Sequence, residues 1–230
     1  MTDPDGHDIQ HIIGLDLGQS NDPSALVIAQ KRTPWRVEAP RGDTLPQGHT
    51  VRVVQTESER RVKGEPVYDI VHLQRFDLGT AYPEVARQTA AIASDPRTGK
   101  SPDMVVDATG IGAPVVDILR DEGLRPVEVT ITGGSKVNKS GREYRVPKAD
   151  LVTTVQTLLQ TGRLRVSEAL PLSKQLAQEM KLFRVKVTES GNARFEHAAE
   201  TDHDDLVLAT TLATWYGENR GQGVMTSVQF

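Results

Sequence analysis

Alternation and helical periodicity divide the chain into short elements. "HIIGLDLGQS" (11–20) and "PSALVIAQK" (23–31) read as two apolar strands. The polar turn between them holds Asn21, Asp22 and Pro23, which predicts a hairpin. "VYDIVHLQRF" (67–76) restores strand alternation, and "YPEVARQTAAIAS" (82–94) couples an early Pro83 to an alanine-rich body, which suits a helix. "MVVD" (104–107) is a short apolar strand ending in Asp107. Gly110 and Gly112 then make a loop, Pro114 opens a helix that Gly123 ends, and "PVEVTIT" (126–132) is another strand. In "PKADLVTTVQTLLQTG" (147–162), Leu151, Val155, Leu158 and Leu159 share one helical face between Pro147 and Gly162. "RLRV" (163–166) predicts a strand, "PLSKQLAQEMKL" (171–182) a helix, and "FRVKVTESGNARFEH" (183–197) a second hairpin around Ser-Gly-Asn. A last helix follows from "TDHDDLVLATTLATW" (201–215).

This mixed order, opening on a hairpin, implies an α/β fold with a mixed sheet of antiparallel and parallel strands flanked by helices, plus an extra C-terminal β-hairpin. One domain over 1–230 is expected, with flexible ends at 1–10 and 218–230. Residues 32–64, rich in Pro, Gly and charge, read as an insertion or extended hairpin, with "TVRVVQTE" (50–57) as an edge strand. At 37% hydrophobic and 25% charged residues a sizeable core is affordable in one domain. The absence of cysteine excludes disulfides, thiolate metal sites and thiol nucleophiles, so any metal must take oxygen or imidazole ligands. The start has no basic and apolar leader and no stretch is apolar enough to span a membrane, so a soluble, cytoplasmic protein without membrane partners is expected.

The acids are the candidate chemistry. Asp16 lies among Ile12, Ile13, Leu15 and Leu17, where an ionised carboxylate is costly unless paired or metal-bound. Asp107 ends a second apolar strand, although an aspartate before glycines also serves as a turn residue. Asp204 and Asp205 stand at the mouth of the last helix, where acids favour the helix dipole and Thr201 or Asp202 can cap. Carboxylates at two strand positions and a helix start invite a shared hard cation, Mg²⁺ or Mn²⁺. His203 is a candidate proton relay or carboxylate-orienting group, or simply a helix-start histidine.

A net charge of −4 does not advertise nucleic-acid binding, so the distribution of charge has to decide. "GGSKVNKSGREYRVPK" (133–148) gathers Lys136, Lys139, Arg142, Arg145 and Lys148 against Glu143. It reads equally as a flexible loop tracking phosphates through salt-sensitive contacts or as a solvated surface hairpin.

An acid in the first strand of a hairpin-led sheet, another after a later strand and a third before a C-terminal helix resembles the ribonuclease H-like nucleases. "GLDLGQSNDPSALVI", "FDLGTAYPEVARQ", "VVDATGIGAPVVDILR" and "HDDLVLATTLA", in that order, resemble the nuclease domain of the large terminase subunit of tailed bacteriophages. The likeness runs from Ile12 to Trp215, and residues 32–64 match poorly. It implies a metal-dependent endonuclease that cuts double-stranded, concatemeric viral DNA during packaging in the host cytoplasm, with little sequence choice and two metals. Asp16, Asp107 and Asp205 would be the ligands. Asp205 is weighted above Asp204, by the order of acids in related resolvases, and Asp22 matches an additional acid of some terminases. Implied partners are a packaging ATPase domain and a small terminase subunit or portal.

The sequence departs from relatives in two places. Resolvases carry a further acid where Leu208 stands, which favours the terminase branch, and no GxxxxGK[ST] loop is present, so the ATPase implied by the family is not in this sequence. Two rivals follow. One is a Holliday-junction resolvase or transposase-like nuclease. The other is an actin- or chaperone-like ATPase lobe, suggested by "IIGLDLGQSNDPSALVI" but lacking a second copy of the motif.

Overall fold

The structure is a computed structural model that describes residues 6–18, 22–38, 60–99, 101–189 and 204–220. The opening hairpin is β1 (Asp8–Asp16) and β2 (Ala25–Thr33), paired antiparallel. β3 (Trp35–Glu38) and β4 (Arg60–Lys63) form a separate antiparallel ribbon, while the expected strand at 50–57 lies outside the described residues. Then come β5 (Val67–Arg75), α1 (Tyr82–Ala93), β6 (Asp103–Asp107), α2 (Ala113–Asp121) and β7 (Pro126–Thr132). β8 (Asn138–Ser140), β9 (Glu143–Pro147), α3 (Lys148–Gln160), β10 (Leu164–Val166), α4 (Ser173–Glu189) and α5 (Asp205–Asn219) complete the order. β1 and α5 reach into the stretches 1–10 and 218–230 where flexible ends are expected.

Among the described residues one sheet runs in the order β10-β5-β2-β1-β6-β7-β9-β8. β1, β6, β7 and β9 are parallel, and β2, β5 and β8 supply the antiparallel joins. This is the hairpin-led mixed sheet flanked by helices that the sequence implies. The expected second hairpin is corrected: α4 carries through the stretch assigned to its first arm as far as Glu189, and residues 190–197 lie outside the described set. Leu176, Met180 and Phe183 repeat at helical spacing and are all buried, which outweighs a short alternating run that cannot choose between strand and helix.

Period-two alternation gives the sheet two apolar faces. Ile13, Leu15, Leu26, Met104 and Val106 face Val85 and Ala86 of α1 and Leu119 of α2. Ile12, Val27, Tyr68, Val105, Val129 and Val146 face α3, α4 and α5. α5 lies on the sheet with α3 and α4 packed against it, and it is buried on every side from Leu206 to Tyr216 apart from the partly buried Leu208. A helix so enclosed must be apolar all round. Its buried threonines comply by turning their hydroxyls inward: Thr210, Thr211 and Thr214 donate to the carbonyls of Leu206, Val207 and Thr210 at 2.8, 2.6 and 2.9 Å.

Two glycines let α5 approach the sheet. A Cβ at Gly14 would lie 1.9 Å from the carbonyl oxygen of Ala209, and one at Gly217 would lie 2.6 Å from the Tyr68 ring and 2.9 Å from Ile12. With Ala209 over Gly14, Gly217 over Ile12 and Arg220 bonded to Asp103, α5 runs antiparallel to β1. Its N-terminus therefore overhangs the end of β1 that carries Asp16.

Gly14→Ala should be destabilising, because the offending atom is helix backbone and cannot step aside as a side chain would. A loss of about 1–3 kcal/mol or more is expected in urea unfolding. Unchanged stability would show that α5 is not seated against β1 at this point.

Candidate metal centre

Sheet register assembles the site. Ile12, Gly14 and Asp16 alternate onto the α5 face of β1, and Val105 and Asp107 do the same on β6. The Leu15–Val106 pairing sets Asp16 beside Asp107. On the other side Asp16 pairs with Ala25, and Ala25 with Arg75 of β5. A row Asp107–Asp16–Ala25–Arg75 thus crosses four strands at one end of the sheet. Ala209 sits over Gly14, and Asp205 is four residues, just over one helical turn, earlier, about 6 Å along the axis. Asp205 therefore comes down over this row.

Arg75 reaches the row only because β5 is bulged. Ile28 pairs with His72 and Ala29 with Ile70, so Val71 is an extra residue without a cross-strand partner. The bulge inverts the alternation: Tyr68 and Ile70 face α5 before it, and Leu73 and Arg75 after it. Gln74 correspondingly turns to the opposite face and bonds Gln88 of α1 at 3.1 Å.

The Arg75 guanidinium grips Asp205 in two-point fashion, Nε to Oδ2 at 2.7 Å and Nη2 to Oδ1 at 2.8 Å. Nη2 also donates to Glu179 of α4. The other Glu179 oxygen accepts the backbone N–H of Val207 at 3.0 Å, one of the first-turn donors that a helix cannot satisfy internally. Asp205 and Glu179 are both buried. Burial and the neighbouring Asp205 charge push the Glu179 carboxyl up to about 7, against the pull of Arg75 and the Val207 N–H.

The remaining acids differ in their surroundings. Burial, then the charges of Asp107, Asp204, Asp205 and Asp22, hold the Asp16 carboxyl well above the usual range. Asp107 is also raised by burial, but less freely: its Oδ1 accepts the Thr109 N–H at 2.7 Å, and Lys148 lies close enough to favour its charged form. Asp204 holds the cap position of α5 without making a side-chain cap bond, and Thr201 and Asp202 lie outside the described residues. Asp22 is exposed on the turn after β1, and its backbone carbonyl packs against Gly18. His203 lies outside the described residues.

The predicted basic residues are spread rather than gathered. Their segment forms the β8–β9 hairpin at the sheet edge. Lys148, at the start of α3, stands at the acid end. Pro147 pairs with Thr132 at that end, whereas Glu143 pairs with Glu128 further back along β7. Arg142 is therefore directed away from the acids, and it bonds the carbonyls of Pro126, at 3.1 Å, and Arg125. Lys139 lies over the Tyr144 ring, 5.1 Å from its centroid, and Lys136 and Arg145 are exposed.

Carboxylate oxygens around an acid whose charge is opposed on every side suit a hard divalent cation. Among the described residues no three such side chains already surround one point closely enough to hold an ion, and Asp205 has both oxygens on Arg75. Arg75 and Glu179 are the functional candidates that sequence reasoning missed. The one available signal was an arginine ending an otherwise alternating strand.

Glu179 gives the pH behaviour of this network. Its pKa rises from an ordinary 4.5 to about 7 on folding, so the unfolded chain releases the proton first. Stability that is fully present below pH 4.5 is then lost as the pH rises through about 7. Glu179→Gln should make the fall between pH 4.5 and 8, read from urea unfolding, smaller by roughly 3 kcal/mol, and the raised Asp16 and Asp107 carboxyls account for what remains. A variant that keeps the wild-type fall would show that Glu179 does not cause it.

The family model for the terminase RNaseH-like domain matches residues 62–216, a span that includes Asp107, Asp204 and Asp205 and begins after Asp16. Among solved structures, the large terminase nuclease from thermophilic phage G20c superposes with a TM-score of 0.53 at 19% identity, over 92% of this chain and 83% of that one. The same nuclease with bound zinc gives a TM-score of 0.50 at 19% identity, over 92% and 82%. Curated proteins give no match. At such identity the solved structures speak for the fold, and the family model, covering more than half of the chain, speaks for descent. The chain belongs to the terminase RNaseH-like domain family.

Proposed function

We propose that this chain is a metal-dependent endonuclease that cuts double-stranded, concatemeric viral DNA during genome packaging, with little sequence specificity. The observation that carries the reading is the Asp107–Asp16 pair on adjacent parallel strands, overhung by Asp204 and Asp205 at the start of α5. Membership of the terminase family supports it, and the zinc bound to the G20c nuclease in one structure fits a divalent-metal requirement.

In this reading Asp16, Asp107 and Asp205 hold the cations, Mg²⁺ or Mn²⁺ at a two-metal site, with Asp204 and Asp22 as further oxygen donors. Bound cations would supply Lewis acidity at the scissile phosphate and make water a better nucleophile. The chain's own residues do the rest. Asp16, held toward its protonated form by burial and the neighbouring acids, would give up its proton as a cation binds at the centre of the row. Lys148, beside Asp107, is set to meet the DNA backbone near the acids. Lys136, Lys139 and Arg145 extend that contact along the hairpin, and Arg142 contributes least because its guanidinium is engaged with backbone carbonyls. His203 is reserved for proton relay. A packaging ATPase and a small terminase subunit or portal are the proposed partners. Among the described residues no helix is long and apolar enough to cross a membrane.

The test is cleavage of supercoiled plasmid with Mg²⁺, Mn²⁺ or EDTA. Metal-dependent nicking and linearisation is expected, and Asp16→Asn or Asp107→Asn should reduce it at least about a hundredfold, the equivalent of several kcal/mol of lost transition-state stabilisation. Cleavage that survives both substitutions would move the site elsewhere, and a strong preference for branched junctions over plasmid would favour the resolvase reading.

DNA affinity supplies a separate check. Lys148→Ala should weaken binding alike for unrelated duplex sequences and lower the salt slope by about one, whereas Arg142→Ala should change it little. The reverse order would place the DNA path at the other end of the hairpin.

A further inference from the structure

The structure assigns Arg75 and Glu179 to the positioning of Asp205. The inference rests on the nuclease reading above and extends it from the acids to the groups that aim one of them. A two-point guanidinium contact fixes the plane of a carboxylate, where a single hydrogen bond would leave it free to turn. Arg75 makes that contact with both Asp205 oxygens at 2.7 and 2.8 Å. The same guanidinium is held from behind by Glu179, whose second oxygen is tied to the Val207 N–H two residues beyond Asp205. Glu179 thus joins three elements, β5, α4 and the first turn of α5, around one carboxylate.

Stability alone does not account for this arrangement. Buried ion pairs are often matched or bettered by apolar side chains of similar volume, since desolvation consumes much of the attraction. Here the Asp205 and Glu179 side chains are 4% and 7% exposed, and two carboxyl groups share one guanidinium. The chain also bulges at Val71 to direct Arg75 to this face, and bulges recur beside active sites for that purpose. What the network achieves is a fixed orientation of Asp205. Arg75 and Glu179 are positioning residues, acting through Asp205 and not on DNA.

The test is Mn²⁺ titration of the wild type, Arg75→Gln, Arg75→Lys and Glu179→Gln by calorimetry, with plasmid cleavage against Mn²⁺ concentration and thermal melting alongside. Partners that orient metal ligands commonly affect affinity by about 10–100-fold. Arg75→Gln and Glu179→Gln should weaken Mn²⁺ binding about tenfold and raise the Mn²⁺ needed for half-maximal cleavage to match, and Arg75→Lys should recover part of the loss. A purely structural role would lower the melting temperature and leave the affinity of the folded protein unchanged. That outcome, or tighter Mn²⁺ binding without Arg75, overturns the assignment. If Arg75→Gln does not fold, Glu179→Gln decides, because its amide oxygen can still accept the Val207 N–H. Wild-type protein that neither binds Mn²⁺ nor cleaves overturns the nuclease reading, and this inference with it. Wild-type binding with unaffected variants overturns the positioning role alone.

Discussion

Position 14 has no side chain, and the carbonyl oxygen of Ala209 takes the place where one would begin. Much of the structure depends on that contact. It brings α5 down onto β1 with backbone against backbone, and Gly217 permits the same approach at the helix's other end, against Tyr68 and Ile12. Held at two points about two turns apart, the helix has one direction and little room to slide. Asp205 is then placed by arithmetic, one turn ahead of Ala209 and over the strand end that carries Asp16.

Strand parity sets the floor beneath it. Asp16 and Asp107 reach the α5 face by simple alternation from Gly14 and Val105, and parallel pairing of their strands makes them neighbours. Arg75 would fall on the wrong face by the same rule. One extra residue at Val71 corrects its phase, and the small side chain of Ala25 is all that stands between it and Asp16 in the row. The cluster is therefore a product of backbone geometry first, with electrostatics acting on what that geometry has gathered.

This explains which parts were legible in the sequence. Asp16 and Asp107 stand out because an ionisable group in a short apolar strand contradicts its surroundings, and the acids before the last helix stand out for the same reason. The hairpin-led sheet follows from alternation and turn residues. Arg75 could not be found that way, since counting in twos from Tyr68 selects Gln74 for the core, and a bulge has no marker in "DIVHLQR". Glu179 sits in "KQLAQEMKL", where a charged residue normally points to water, and only the packing of α4 against α5 buries it. The expected second hairpin failed because the pattern in "FRVKV" is too short to overrule a helix already anchored through Leu176, Met180 and Phe183. Arg142 and Lys148 were grouped by nearness in sequence, and a hairpin in extended conformation separates them, at about 3.3 Å per residue, toward opposite ends of the sheet.

The carboxylates so assembled are not equivalent, and the difference has a direction. Asp205 has its charge answered by Arg75, Asp107 has a backbone N–H and the influence of Lys148, and Asp16 is opposed by burial and by four other acids. In the folded chain Asp16, at the centre of the row, is therefore held toward its protonated form. A ligand that binds the folded state alone returns stability in proportion to what it satisfies there. In the nuclease reading a cation there would have to displace the proton that Asp16 otherwise keeps, so its binding would release protons and tighten as the pH rises. Arg75 thus aims Asp205 rigidly from within, and the ionised form of Asp16 is left for a bound cation to favour.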